Sequence, residues 1–285
     1  MTNLLIALKN IIQNPINDIV SNYKGSNRVN GVGDALEKYV KDVFCDSLLE
    51  KNPQKKDEIY GKYFSYLGNQ NNPPDAIIRA GDAIEIKKIA NFTSALALNS
   101  SYPKDKLHFD DSRITNECRN SETGKWQQKD IIYVVGVSPK NTQKIKSICF
   151  IYGDCYAAKR EIYTRIADKI SSGIAQIADV EFIETNELAK VKKVDPLGIT
   201  DLRVRGMWHI ENPIKVFKNF ISIANEKNLC VNAIIIEEKY LSFPQIDRTN
   251  LESLQSDYLK ISNIKIKSPN NPASLLNAKL ISYAK

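Results

Sequence analysis

The sequence predicts an α/β fold in which a central sheet is flanked by helices. Three observations lead there. Apolar residues recur with the helical period in the first fifty positions, short β-rich apolar runs fill the middle of the chain, and a long amphipathic pattern follows them. With 285 residues and 42% hydrophobic side chains, the chain can bury a sizeable core. No Gly/Ser/Pro linker breaks its second half, so one elaborated domain over 1–285 is expected.

The first fifty residues are predicted as two helices separated by the loop "YKGSNRVNGVG". In the second helix Leu36, Tyr39, Val40, Val43, Phe44 and Leu48 share a face, and Asp34 with Glu37 three residues on forms a capping-box pattern. A charged link around "EKNPQKKDE" leads to "DAIIR" and "AIEIKKI", two β-rich segments around Ala80-Gly81-Asp82 that make a hairpin signal. The polar stretch from residue 98 to 126 is long for a structureless connection, which marks it as functional or disordered. "IIYVVGV" and "ICFIYG" follow as apolar strands, and "AAKREIYTRIADKISSGIAQI" as a long helix. In the last third "LRVRGMWHI" and "VNAIIIEEKY" are predicted as strands, "PIKVFKNFISIA" and "LESLQSDYLKI" as helices.

Composition excludes several functions. The five cysteines never form a CxxC pair, so they are predicted to be reduced and structural. No GxxxxGK[ST] or GxGxxG occurs, which leaves a nucleotide-driven motor or dinucleotide enzyme without support. Two histidines, His108 and His209, poorly supply a histidine-based metal site. No segment approaches eighteen consecutive apolar residues, and "NLLIALKNIIQNPI" is interrupted by Lys9, Asn10 and Asn14; no membrane association and a cytoplasmic location are expected. Forty basic against thirty-three acidic residues, a formal charge of +7, favour an anionic partner.

The run "NNPPDAIIRAGDAIEIKK" concentrates the chemistry. Side chains at i and i+2 of a strand share a face, so Glu85 and Lys87 point one way and Ile84 and Ile86 the other. With a three-residue loop of Ala80, Gly81 and Asp82, Arg79 pairs with Ala83, Ile77 with Glu85 and Asp75 with Lys87, and all three polar groups meet. A two-residue loop would send Asp75 to the opposite face. Two neighbouring carboxylates repel unless a cation sits between them. Oxygen ligands of this kind suit Mg²⁺, which bridges carboxylates to phosphate oxygens. A lysine beside them can orient an attacking water or neutralise charge developing on phosphorus oxygens.

"PPD" at 73–75, nine intervening residues and "EIK" at 85–87 resemble the PD-(D/E)XK nuclease signature. Together with "GDALEKYVKDVF", "SYLGNQNNPPDAIIRAGDAIEIKK", "ALALNSSYPKDKLHFDD", "KDIIYVVGV" and "DPLGITDLRVRGMWHIENP", they resemble the type II restriction endonucleases of the NgoPII type, over most of residues 30 to 220. The resemblance implies a restriction-endonuclease-like core with a central mixed sheet. Residues 221–285 would be an elaboration for DNA binding or dimerisation. It also implies a homodimeric, Mg²⁺-dependent enzyme that cuts double-stranded DNA inside a short palindrome, GGCC for this type, leaving a 5′-phosphate and a 3′-hydroxyl. Asp75 and Glu85 would hold the metal and Lys87 would stand at the attacking water. A protecting DNA methyltransferase would be a separate chain.

Plainer readings stand beside these. Glu85 and Lys87 can be the solvent face of an edge strand, and Asp75 a turn residue after two prolines. Asp82 most simply belongs to the turn. Glu37 either caps its helix or approaches the metal, and Lys88, on the other strand face, touches a phosphate or solvates an edge. Arg203 and Arg205, close to Trp208, fit guanine readout in the major groove as well as phosphate contact. The loop with Asn99, Ser100, Ser101, Tyr102 and Lys104 suits hydrogen bonding to backbone or base edges, or is a polar surface loop. His108, Arg113 and Arg119 have no assigned role. The rival functions are a structure-selective repair or junction-resolving nuclease of the same fold, and a non-catalytic DNA-binding protein.

Overall fold

The computed structural model describes all residues except 24–30, 70, 141, 143, 178–180, 184, 186–187 and 222–228. The middle of the expected loop at 23–33, and the end of the helix expected over 213–224, lie outside the described residues. The N-terminal helices are α1 (Leu4–Gln13), α2 (Ile19–Asn22), α3 (Val32–Cys45) and α4 (Pro53–Tyr63). Asn3 caps α1 by accepting the N–H groups of Leu5 and Ile6, and Leu4, Leu5, Leu8 and Ile11 are buried. α3 buries Leu36, Tyr39, Val40, Val43 and Phe44, the face its period predicts. Its N-cap is Gly31 without a side-chain cap, so Asp34 sits in the first turn and the capping-box reading is corrected. The charged link is α4, opened by Asn52 as N-cap and Pro53 at the first helical position. These helices are tied at the buried Asp42, which accepts the hydroxyls of Tyr23 at 2.5 Å, Tyr60 at 2.6 Å and Ser47 at 2.7 Å and pairs with Lys56.

Next come β1 (Phe64–Asn69), β2 (Asn72–Ile78), β3 (Ala83–Ile89), β4 (Leu96–Ala97), β5 (Lys106–His108), α5 (Asn116–Arg119), β6 (Gln128–Val137), β7 (Ser147–Tyr152), α6 (Gly153–Tyr156) and α7 (Arg160–Ala175). The chain continues through β8 (Glu181–Ile183), β9 (Ala189–Lys192), β10 (Leu202–Val204), β11 (His209–Ile210) and α8 (Pro213–Val216). It ends with β12 (Cys230–Ile236), α9 (Glu237–Ser242), α10 (Gln245–Glu252), β13 (Leu259–Lys267) and β14 (Leu275–Ala284).

The main sheet runs β1-β2-β3-β6-β7-β12-β14-β13, with β5 beside the start of β6. β3 with β6 and β7 with β12 are parallel and the remaining pairs antiparallel, so the central sheet is mixed. Every residue of β7 and the last seven of β6 are buried, the continuous apolar run of a strand covered on both faces. α3 lies directly on this layer: a Cβ at Gly136 of β6 would come within 2.5 Å of the Leu36 side chain. All five cysteines are buried and free.

Three predicted elements divide. "LRVRGMWHI" is not one strand: β10 belongs to a small sheet β10-β9-β8, and β11 pairs with β4. "LESLQSDYLKI" contributes only the end of α10 before β13 starts at Leu259, and the expected strand "VNAIIIEEKY" turns helical at Glu237. The polar stretch from 98 to 126 holds β5 and α5 and is pinned by Arg119, whose guanidinium donates to the carbonyls of Phe109 at 3.1 Å and Asp111 at 2.6 Å.

Candidate active site

The site begins at the turn between β2 and β3. Ala80 takes a left-handed φ of 55°, the Gly81 N–H donates to Ile78 O at 2.8 Å, and the Ile78 N–H to Asp82 O at 2.9 Å. Ala76 therefore pairs with Ile84 and Ile77 with Ala83. This corrects the expected register: the turn comes one residue earlier, and Asp75 stands level with Glu85 instead of Lys87. The parity is unchanged, so Asp75, Glu85 and Lys87 still open into one cleft. Asp82 is not a turn ornament. Its buried carboxylate accepts the Tyr152 hydroxyl at 2.6 Å and pairs with Lys239 at 2.7 Å, anchoring the hairpin to the core.

The ladder stops at Ala76. From there the Asp75 carboxylate takes over and accepts the Ile86 N–H at 2.5 Å. β1 crosses β2 closely here, since a Cβ on Gly68 would lie 2.3 Å from the Pro74 carbonyl oxygen. Glu85 is only 7% exposed; its Oε1 meets Lys87 Nζ at 2.6 Å, while its Oε2 is buried and has no hydrogen-bond partner. Burial and the negative charge of Glu85 push the Asp75 carboxyl up to about 7, against the opposing pull of Lys87 and the Ile86 N–H. Burial works against the charge of Lys87, but Glu85 and Asp75 outweigh it and raise its pKa. Glu37 on α3 adds its negative field to both groups without lining the cleft.

The buried Glu85 and the half-buried Asp75 share one lysine, and one carboxylate oxygen of Glu85 is left without a partner. That arrangement fits a hard divalent cation bound through oxygen. Among the described residues no group of three or more His, Cys, Asp or Glu gathers to hold a metal, so Asp75 and Glu85 would be its carboxylate ligands, with backbone or amide carbonyls, water and substrate oxygens completing the shell.

The cleft's far rim is the loop carrying Asn99, Ser101, Tyr102 and Lys104, all of which line it. Its shape is fixed from below and from the side. Lys104 is 3% exposed: its Nζ pairs with Asp111 at 2.5 Å and lies 4.2 Å from the Tyr102 ring centroid, and its N–H donates to the Tyr133 hydroxyl at 2.7 Å. The Tyr102 ring stacks on Tyr163 of α7 at 5.6 Å, and Tyr163 meets Trp208 edge-on at 5.6 Å. Trp208 donates its N–H to the carbonyl of Asn99 and accepts that of Leu98. Lys88 is exposed and, like Arg203 and Arg205, does not line the cleft; Arg203 lies on β10 opposite Lys190. Arg113, which had no assigned role, does line it, and its carbonyl holds the Asn72 side chain at 2.9 Å. Tyr133 was missed as well. Its signal was a hydroxyl inside an apolar strand, a group that requires a partner when buried.

The family model of the NgoPII restriction endonucleases matches residues 2–267. The chain belongs to the NgoPII restriction endonuclease family. A relative from Neisseria gonorrhoeae, named Type II restriction enzyme NgoPII, is 49% identical over 281 residues, covering 99% of each chain. No solved structure matches. The mixed α/β architecture is thus that of an NgoPII-family nuclease, and the family is one of type II site-specific endodeoxyribonucleases acting on DNA. Among the described residues of this NgoPII-family chain, no helix is long and apolar enough to cross a membrane.

Proposed function

We propose that this type II restriction endonuclease cuts both strands of duplex DNA inside a short palindrome, GGCC by analogy with its family, using Mg²⁺ held by Asp75 and Glu85. The observation that carries the metal reading is the buried, unpartnered Glu85 Oε2 beside an Asp75 carboxyl raised to about 7. When bound, the cation supplies Lewis acidity toward a phosphate oxygen and lowers the pKa of water. The chain's own residues do the rest. Lys87, 2.6 Å from Glu85, donates toward the attacking water and the phosphate. Asp75 gives up its proton on metal binding, and Glu37 strengthens the negative field that draws the cation in.

Asn99, Ser101 and Tyr102 on the rim are proposed DNA contacts, and Lys104 holds their loop. Arg203, Arg205 and Lys88, all exposed, are proposed to meet DNA outside the cleft. The working unit is proposed as a homodimer of single elaborated nuclease domains (1–285), one site per strand, located in the cytoplasm with a separate methyltransferase protecting the host DNA.

The deciding experiment is single-turnover cleavage by Lys87→Ala. It should keep DNA binding and lose about three orders of magnitude in rate, some 4 kcal/mol of transition-state stabilisation. Glu85→Ala should be inactive and fail to bind Mg²⁺ in calorimetry. Near wild-type cleavage by either variant would remove them from the chemistry.

A further inference from the structure

The turn between β1 and β2 forms one wall of the cleft: Asn69 and Asn72 line it together with Asp75, Glu85 and Lys87. Hydrogen bonds fix which end of each amide stays available. Asn69 Oδ1 accepts the N–H groups of Asn71 at 2.9 Å and Asn72 at 3.1 Å, so its oxygen is engaged and its NH₂ is left to donate. Asn72 is the reverse. Its Nδ2 donates to the carbonyl of Arg113 at 2.9 Å, and a carbonyl only accepts, so the amide cannot be turned round. Asn72 Oδ1 takes no hydrogen bond among the described residues and is open to water. The anchor is itself held. The Arg113 N–H donates to Asp111 Oδ1 at 2.8 Å, and Asp111 Oδ2 pairs at 2.5 Å with Lys104, the lysine that sets the rim loop. The turn is pressed against the acids as well, since a Cβ on Gly68 would lie 3.1 Å from the Asp75 Cα.

We propose that Asn72 reads a base: its Oδ1 accepts an exocyclic amine of the DNA in the cleft, and Asn69 Nδ2 donates to a base acceptor beside it. The inference deepens the reading of this cleft as the place where DNA is cut, and rests on it. Polarity carries it. Inside a duplex the phosphate and deoxyribose oxygens only accept, and the ring N–H groups are engaged in pairing. The donors still on offer are the amines, N2 of guanine, N4 of cytosine and N6 of adenine. When DNA displaces the water at Asn72 Oδ1, that oxygen needs a donor, and the DNA backbone has none to give. A lysine or arginine in its place would bind phosphate whatever the sequence; an amide oxygen whose own nitrogen is tied down cannot. Distance agrees. Asn72 stands three residues before Asp75 on β2, about 10 Å away, which is roughly three base-pair steps. The amine thus belongs to a pair close to the scissile bond, within reach of a short recognition site. A G·C pair presents an amine beside an acceptor in both grooves, so an acceptor and a donor on one turn suit it.

The test crosses changes in the protein with changes in the DNA. The cognate site is first mapped by sequencing the ends of digested phage DNA. Duplexes carrying that site then lose one amine at a time, through inosine for guanine, 2-pyrimidinone for cytosine or purine for adenine. The wild type and Asn72→Ala cut each of them under single-turnover, subsaturating conditions. Asn72 is half-buried at a turn, so the alanine chain should fold with an unchanged circular-dichroism spectrum. One deletion should slow the wild type at least about tenfold, and Asn72→Ala should be slowed by a similar factor on the intact site. Combined, the two losses should be no greater than either alone, while every other deletion slows both proteins by equal factors. A merely structural fault, such as loss of the bond to Arg113, would instead add to every deletion. A wild type indifferent to each amine, or a variant slowed by each deletion as much as the wild type, overturns base reading by Asn72 and leaves the cleft as the place of cutting. The reading of the cleft fails separately, through a Lys87→Ala chain that cuts at near wild-type rate.

Discussion

Asp75 is where burial and chemistry meet. An unfolded aspartate titrates near 3.9, while burial and Glu85 raise this one to about 7. Between those values the folded chain keeps a proton that the unfolded chain has lost, so in chelator the contribution of Asp75 to stability is greatest below pH 4. It declines as pH rises through 7, by roughly a few kcal/mol in all. Asp75→Asn should therefore melt above the wild type at pH 8 in EDTA, with the gap closing at pH 4. A gap of equal size at both pH values would mean that ionisation of Asp75 is not the cause. For the same reason Mg²⁺ affinity, read by calorimetry, should rise about tenfold per pH unit up to about 7 and then level off, with proton release on binding.

At the scale of elements, the loop from Asn99 to Lys104 is shaped by a residue far along the chain. Trp208 presents its ring edge to Tyr163, which carries Tyr102, and its backbone joins Leu98 and Asn99. Removing the ring leaves the backbone bonds, so Trp208→Ala should loosen the rim without touching the carboxylates. An edge-to-face contact is worth about 1 kcal/mol beyond its burial. The DNA concentration at half-maximal single-turnover rate should rise about five- to tenfold while the pH profile stays put; an unchanged half-saturation would show that the rim does not grip DNA. This dependence explains what the sequence made legible. Strands β3, β6 and β7 and helix α3 announce themselves through apolar period, and the face shared by Glu85 and Lys87 follows from strand geometry alone. The register of Asp75 did not, because the turn chemistry around Ala80-Gly81 allows neighbouring positions and the choice is made by Asp82 binding Tyr152 and Lys239, distant residues. The pairing of β4 with β11 joins two-residue strands more than a hundred positions apart, too short to carry any period.

On the scale of the whole molecule, a net charge of +7 meets a polyanion. Where sequence is read is still separable from where charge is met. Arg203 and Arg205 are exposed beyond the cleft, near the segment that leads to Trp208. If an arginine contacts guanine, its alanine variant loses about 1–3 kcal/mol on the cognate duplex and little on a scrambled one. A phosphate contact weakens both duplexes alike and lowers the salt slope by about one. At least one of the two is expected to follow the first pattern in titrations at several salt concentrations. Equal losses on both duplexes for both variants would shift base reading to Asn99, Ser101 and Tyr102.

The order of the main sheet also bears on how the enzyme comes into being. β14, Leu275–Ala284, is not an edge; it lies between β12 and β13 and pairs with both along its length. While a ribosome is still adding these residues, β12 lacks its antiparallel neighbour, and Val231, Ala233 and Ile235 lack the strand they pair with. Removing an interior strand opens two ladders at once, where an edge strand would open one. A chain arrested before residue 275 should thus be digested by protease at dilutions that spare the finished protein, and it should cut no DNA. Without β14, β12 and β13 each present an open edge, so both ladders are closed in a single step.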